Sequence, residues 1–247
     1  MVYITGDIHS QPFPRLNTHS FFEQKEMTKE DYVIICGDFG LVWDKEESKR
    51  EKHELDELES RSFTTLFCDG NHENFDRLNA YPVEEWHGGK VHKIRPSVIH
   101  LMRGEIYEIN GKKFFVFGGA NSHDIRDGVL EVGDPRIKTW EYDYDKLFRI
   151  NHVSWWKEEL PNAEEMAHGL DSLKKNDYKV DYIVTHEMAT STQSLFCALE
   201  GLLPHKVDEL NEYLEEIRIK TDYQNNLDVL KLRRGNKPWP MKKKSYI

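Results

Sequence analysis

The stretch YVIICGDFG, residues 32–40, is an apolar run of five residues that ends in Gly37-Asp38. A run of that length closed by a glycine turn predicts a strand that hands the chain to a polar loop. The arrangement occurs on both sides of it. VYI at 2–4 runs into TGDIHSQPF at 5–13, and FTTLFCDGNHENFDRL at 63–78 supplies a third strand, a third glycine-containing turn and a helix start near Asn74. Between these lie two predicted helices, 18–30 and 44–62, the second with Leu55, Leu58 and Phe63 toward the core. The order is β-loop-α-β, and open parallel sheets place their ligand sites at the C-terminal ends of such strands.

The middle of the chain changes character. VIHLMRGEIYEINGKKFFVFGGA at 98–120 holds shorter β-rich runs around Asn110-Gly111, a strong hairpin signal, and predicts a second, more antiparallel layer. Residues 134–151 read as an aromatic-rich loop, and the segment 139–161 as an excursion over the mouth of the site. A helix is expected at 162–175, with Asn162 as its cap. DYIVTHE at 181–187 is again a strand with a histidine at its end, and a helix at 205–219 puts Val207, Leu210, Leu214 and Ile217 near one face. LDVLKL at 227–232 is the last strand candidate, and GNKPWPMKKKSYI at 235–247 reads as a loose basic terminus. The expected organisation is one α/β domain over 1–247, with 224–247 as an atypical tail.

A formal charge of -10 and the lack of a long apolar stretch exclude a membrane span and disfavour adsorption to nucleic acid. The N-terminus reaches a polar cluster within seven residues, which is not the pattern of a secretory signal. Cys36, Cys68 and Cys197 lie far apart in apolar surroundings and read as reduced core residues of a cytoplasmic protein.

The polar residues after the strands form a candidate metal set: Asp7 and His9, Asp38, Asn71 and His72, and His186. A carboxylate and an imidazole two residues apart suit zinc, iron or manganese better than calcium. Asp38 has two oxygens and can bridge two ions, Asn71 adds a neutral oxygen, and His186 brings a second imidazole. Two such ions about 3.5 to 4 Å apart hold a hydroxide for in-line attack at phosphorus. His72 stands beside a ligand and can serve the leaving-group oxygen, with Asp69 or Glu73 to orient it. Singly, each piece is ordinary turn chemistry; four strand ends bearing them together are not. His19, His53, His87, His92, His100, His152 and His168 read as surface or loop residues.

GDIH at 6–9, GDFG at 37–40, GNHE at 70–73 and THE around His186 resemble the successive motifs of the calcineurin-like metallophosphoesterase superfamily, over about residues 1–220. The resemblance implies a four-layer sandwich of two mixed sheets flanked by helices. It implies two divalent ions (manganese, iron or zinc), one held by Asp7, His9 and Asp38, the other by Asp38, Asn71 and His186, with His72 catalytic. It also implies hydrolysis of small phosphomonoesters or phosphodiesters by a metal-bridging hydroxide. GGANSHDIRDG at 118–128 and WWKEELP at 155–161 resemble the small bacterial and prophage branch. There Arg126 is a candidate phosphate contact with Ser122 and Asp124 on the same loop, and Tyr142, Tyr144, Trp155 and Trp156 are either pocket walls or packing beneath a loop.

That superfamily closes its site with Gly-His-x-His on a late strand, and this sequence contains no such segment. Each ion is therefore expected to lack one imidazole. Water can fill the places; Asp222, Gln224, Asp228 or His205 can supply a substitute; or a rearranged end of the gene leaves a fold that catalyses poorly and serves binding or regulation. A truncated sheet exposes a strand edge, which a second copy of the chain in a homodimer would cover.

Overall fold

The computed structural model describes residues 1–203, 206–227 and 239–240. Its larger sheet contains β1 (Val2–Thr5), β2 (Tyr32–Cys36), β3 (Thr64–Cys68), β4 (Val83–Trp86), β5 (Gly89–Arg95) and β6 (Val98–Leu101). Strands β1, β2, β3 and β6 run parallel in that order, while β5 and β4 continue antiparallel at one edge. The second sheet joins β7 (Glu105–Ile109) and β8 (Lys112–Phe117) as a hairpin across Asn110 and Gly111, both at positive φ (53° and 70°), as the Asn-Gly turn predicts. A parallel two-stranded ribbon pairs β9 (Gly128–Leu130) with β10 (Phe148–Ile150). The second sheet is completed by β11 (Tyr182–Thr185), parallel to β8, and β12 (Asn225–Leu227), parallel to β11. This layer is mixed rather than mainly antiparallel.

Side chains alternate across each strand, so one strand feeds two cores. On β2, Val33 and Ile35 face the helix layer while Ile34 and Cys36 face the other sheet. On β8, Phe114 and Val116 meet that same inter-sheet core, and Phe115 and Phe117 face outward to a third cluster. Leu55 and Leu58 of one helix cover the first outer face, and Leu173, Leu210, Leu214 and Ile217 cover the second. The result is the expected four layers, helix, sheet, sheet and helix.

The short helices α1 (Phe13–Leu16), α3 (Phe75–Leu78) and α4 (Ile137–Trp140) flank loops, and the longer ones start where their caps dictate. Helix α2 (Lys49–Glu59) begins after Ser48, whose capping box with Glu51 fixes the first turn, so residues 44–47 stay outside it. Helix α5 (Ala163–Lys175) is capped by Asn162 as expected. Helix α6 (Thr190–Glu200) was not signalled by the sequence, because much of its apolar surface faces solvent. Helix α7 (Glu209–Lys220) starts at its Asp208 cap, which leaves Val207 before the helix and partly exposed. The helix expected at 18–30 does not form. The Asn17 side chain accepts from the amides of His19 and Ser20, and only a 3-10 turn at Phe22–Glu26 follows.

At the far end, β12 lies two residues ahead of the strand expected at 227–232, whose remainder lies outside the described residues. The backbone of β13 (Trp239–Pro240), within the tail read as unpatterned, pairs antiparallel with Tyr3 and Ile4. No helix among the described residues is long and apolar enough to cross a membrane.

His92 and His100, expected at the surface, are 3% and 4% exposed. They are cross-strand partners on β5 and β6, with Nδ1 atoms 3.1 Å apart. His100 Nε2 is 3.2 Å from Asp69, whose carboxylate also takes the guanidinium of buried Arg103. The cluster borders a cavity of about 490 Å3 behind β3. Burial, with His100 beside it, pushes His92 down to about 4. A neutral buried histidine must be charged only on unfolding, so the unfolded chain binds the extra proton between its own pKa of about 6.5 and the folded value. Stability is therefore expected to fall as pH drops from about 6.5 to about 4. Chemical denaturation of His92→Gln should show a shallower pH dependence over that window; an unchanged slope would refute the assignment.

Candidate metal centre

The C-terminal ends of β1, β2 and β3 and of β11 converge, although β11 belongs to the other sheet. His186 Nε2 lies 3.3 Å from Asp38 Oδ1, and His9 Nε2 lies 3.0 Å from Asp7 Oδ2 and 3.5 Å from Asp38 Oδ2. Asp38 is thus flanked by an imidazole on each oxygen. Ligand atoms of His9, Asp38 and His72 all fall within 4.8 Å of one another. The backbone amides of Asn71 and His72 donate to Asp38 Oδ1 at 2.9 and 3.1 Å, which ties the third loop to the second.

The loops hold this shape through strain and close approach. His9 and Asp38 adopt φ of 44° and 46°, a region that non-glycine residues seldom occupy and that tends to mark functional sites. The amides of Ile8 and His9 donate to Asp38 O, joining the first two loops. Two glycines admit the cluster: a Cβ on Gly37 would overlap the His186 ring, and one on Gly70 would overlap the Asp38 carboxylate and crowd its backbone nitrogen at 2.7 Å. That packing is the physical content of Gly-Asp and Gly-Asn at these strand ends.

Glu73 does not orient His72. Its Oε1 accepts from the amides of Phe39 and Gly70, at 3.1 and 3.2 Å, and so braces two loops from beneath. Burial, with Asp38 and Asp69 nearby, pushes its carboxyl up to about 8. Asp69 does not reach His72 either, being committed to His100 and Arg103. The His72 ring is held by aromatic neighbours, stacked on Trp43 with centroids 5.6 Å apart and met edge-on by His9 at 4.7 Å.

The electrostatics describe a place that favours positive charge. Burial alone would lower His186, but Asp38 beside it carries it up to about 9, with Cys36 O accepting at Nδ1. Burial would raise Asp38, and the surrounding histidines instead hold it well below the usual carboxylate range. The Asp7 hydrogen bond raises His9, whereas burial lowers His72. The donors are oxygen and imidazole nitrogen, suited to manganese, iron or zinc. His186 Nδ1–H is spent on Cys36 O, which leaves Nε2, whose proton Asp38 favours in the free site, as the nitrogen that would give up that proton to a cation. Asn71 Nδ2 donates to Ser122 Oγ at 3.2 Å, so its carbonyl oxygen is the donor left over. The residues present fit divalent cations.

The centre opens into a cleft of about 380 Å3. His9, Asp38, Asn71, His72 and His186 line it together with Ala120, Asn121, His123 and Asp124 of one loop and with Arg149. The arginine of this cleft is Arg149 rather than Arg126. Arg126 points outward, donating to Asp145 O at 2.6 Å with its side chain 67% exposed. Asp124 braces the loop through paired bonds to Arg149 Nε, each 3.0 Å. Arg149 follows a single apolar residue on β10, within a segment read as loop, so little in the sequence marked it. Tyr142 and Tyr144 are exposed outside the cleft; Trp156 is buried against Trp43, and Trp155 lines the cavity behind β3.

Asp222 and Gln224 do not approach the centre. Gln224 donates to Asp181, which precedes β11, and Asp222 bridges to Lys179, whereas His186 follows the strand's other end. The separation is about 13 Å along the strand. His205 and Asp228 lie outside the described residues.

Fold and site define a metallophosphoesterase-like protein, and comparison bears this out: the calcineurin-like phosphoesterase family model matches residues 1–189, so the chain belongs to that family. Lariat debranching enzyme A of Xenopus laevis is 24% identical over 143 residues. That stretch covers 53% of this chain and 26% of that enzyme, so the likeness is confined to about a quarter of the relative. No solved structure matches the chain.

Proposed function

We propose that the protein is a metal-dependent phosphoester hydrolase acting on small phosphomonoesters or phosphodiesters. The observation that carries the reading is Asp38, buried at the meeting point of both sheets with an imidazole on each carboxylate oxygen. Asp7, His9 and Asp38 would hold one divalent cation and Asp38, Asn71 and His186 a second. Such cations polarise the phosphoryl oxygens and lower the pKa of water.

The protein's own groups supply the rest. Arg149 is fixed at the cleft by Asp124, which takes Nε and Nη2, and by Ser154 O, which takes Nη1 at 3.3 Å, so that one N–H on each terminal nitrogen is left for phosphate oxygens. His72, clamped by Trp43 and His9, presents an N–H to the leaving-group oxygen. Loss of His72 should therefore matter most where the leaving group is a poor one. His72→Ala is expected to lower kcat about 100-fold for an alkyl phosphate and less for p-nitrophenyl phosphate, since the contribution of a positioned acid scales with need. Equal losses on both would remove His72 from that role.

The test of the function is hydrolysis of mono- and diesters with added manganese, abolished by chelation and restored by the ion. No turnover of any ester at saturating manganese would favour a second reading, a binding or regulatory protein on this fold. The absent Gly-His-x-His segment motivates that alternative.

A further inference from the structure

Besides the metal centre and Arg149 the cleft is lined by apolar side chains, for which the metal centre gives no reason. Met188 follows His186 by two residues and is buried, its carbonyl held by Asn211 Nδ2 at 2.9 Å. Phe196 and Cys197 of α6 belong to the same apolar lining. At the mouth, α6 ends in Gly201 at φ 67°, and the amide of Leu202 turns back to Cys197 O at 2.9 Å. That cap, which a glycine enters without strain, sets Leu202 and Leu203 on the cleft rim, 57% and 91% exposed. Large apolar side chains left in water beside polar groups mark a binding surface.

We infer that the substrate of this site carries an apolar, ring-sized organic group on its phosphate, seated against Met188, Phe196, Leu202 and Leu203. The inference rests on the phosphoester reading above. The imidazoles and Arg149 take the charged end, and the cleft volume leaves room beside a phosphate for a ring. A thioether and a phenyl ring are suited to the face or edge of such a group.

Binding of two phosphonates, read by calorimetry on the manganese-loaded full chain, tests this without turnover. 2-Phenylethylphosphonate is expected to bind about tenfold more tightly than ethylphosphonate, the effect of withdrawing a phenyl ring partly from water. The double variant Leu202→Ser, Leu203→Ser should reduce that preference to threefold or less (roughly, from the area lost) while leaving ethylphosphonate affinity unchanged. Leu199→Ser, on the same helix and 75% exposed but not among the cleft residues, should keep the full preference. Equal affinity of the two ligands for the unaltered protein, or a full preference in the double variant, overturns the inference and leaves the phosphoester reading standing. Failure of both phosphonates to bind overturns the two together.

Discussion

Asp38→Asn is expected to lower kcat/KM for phosphoester hydrolysis by about a thousandfold or more, a loss of about 4 kcal/mol in transition-state stabilisation. The size follows from what the carboxylate does. Its Oδ1 accepts two backbone amides and faces His186, and its Oδ2 faces His9. An amide keeps one acceptor for the backbone donors, so the loop geometry survives. It puts an N–H₂ where Oδ2 had been and removes the one negative charge shared by both halves of the centre. Steady-state assays with manganese measure the loss, and far-ultraviolet circular dichroism separates it from unfolding. A variant that keeps a tenth of the activity would show that Asp38 is a loop anchor and no bridge.

Arg103→Met is expected to destabilise the fold by about 3–5 kcal/mol, because it strands the Asp69 carboxylate in the interior. Asp69 is 1% exposed, and the neighbouring Arg103 and His100 hold it well below the usual carboxylate range against the pull of burial. Arg103 Nε donates to Asp69 Oδ2 at 2.8 Å, and its Nη2 reaches the carbonyls of Glu158 and Glu159. One guanidinium thus ties the end of β3 to the segment that carries Trp155 and Trp156. For a chain of this size the loss corresponds to a fall in Tm of about 10 °C. Because the cost is that of an orphaned charge, Arg103→Met combined with Asp69→Asn should recover much of it. A single variant within about 1 kcal/mol of the parent, or a double variant no better than the single, would contradict this.

The centre was legible because its parts are local. An apolar run followed by Gly-Asp or Gly-Asn-His states both the strand and the residue at its end, and parallel pairing brings those ends together without further instruction. The roles of Asp69 and Glu73 were not legible, since they depend on which loop lies beneath which. Adjacent in sequence to the ligands, the two turn away from His72, one to another strand's histidine and one to backbone amides. His92 and His100 looked like surface residues because a histidine in a β-rich run carries no sign of its partner; their burial comes from cross-strand register. Arg149 and the apolar residues of α6 reach the cleft from segments whose own patterns are weak. At 18–30, a side-chain-capped turn at Asn17 outweighed helical composition, a competition that composition does not record.

The segment missing from the sequence bears on the ions themselves. Of the replacements weighed for it, Asp222 and Gln224 sit at the wrong end of β11. The candidate ligands His9, Asn71 and His186 contact Asp38 and Asp7 contacts His9, so the centre is expected to bind manganese through these groups. Anomalous difference maps from manganese-soaked crystals test this most directly. The account predicts density on both sides of Asp38, one peak beside Asp7 and His9 and the other beside Asn71 and His186. Maps with no peak at Asp38 under saturating manganese would contradict it.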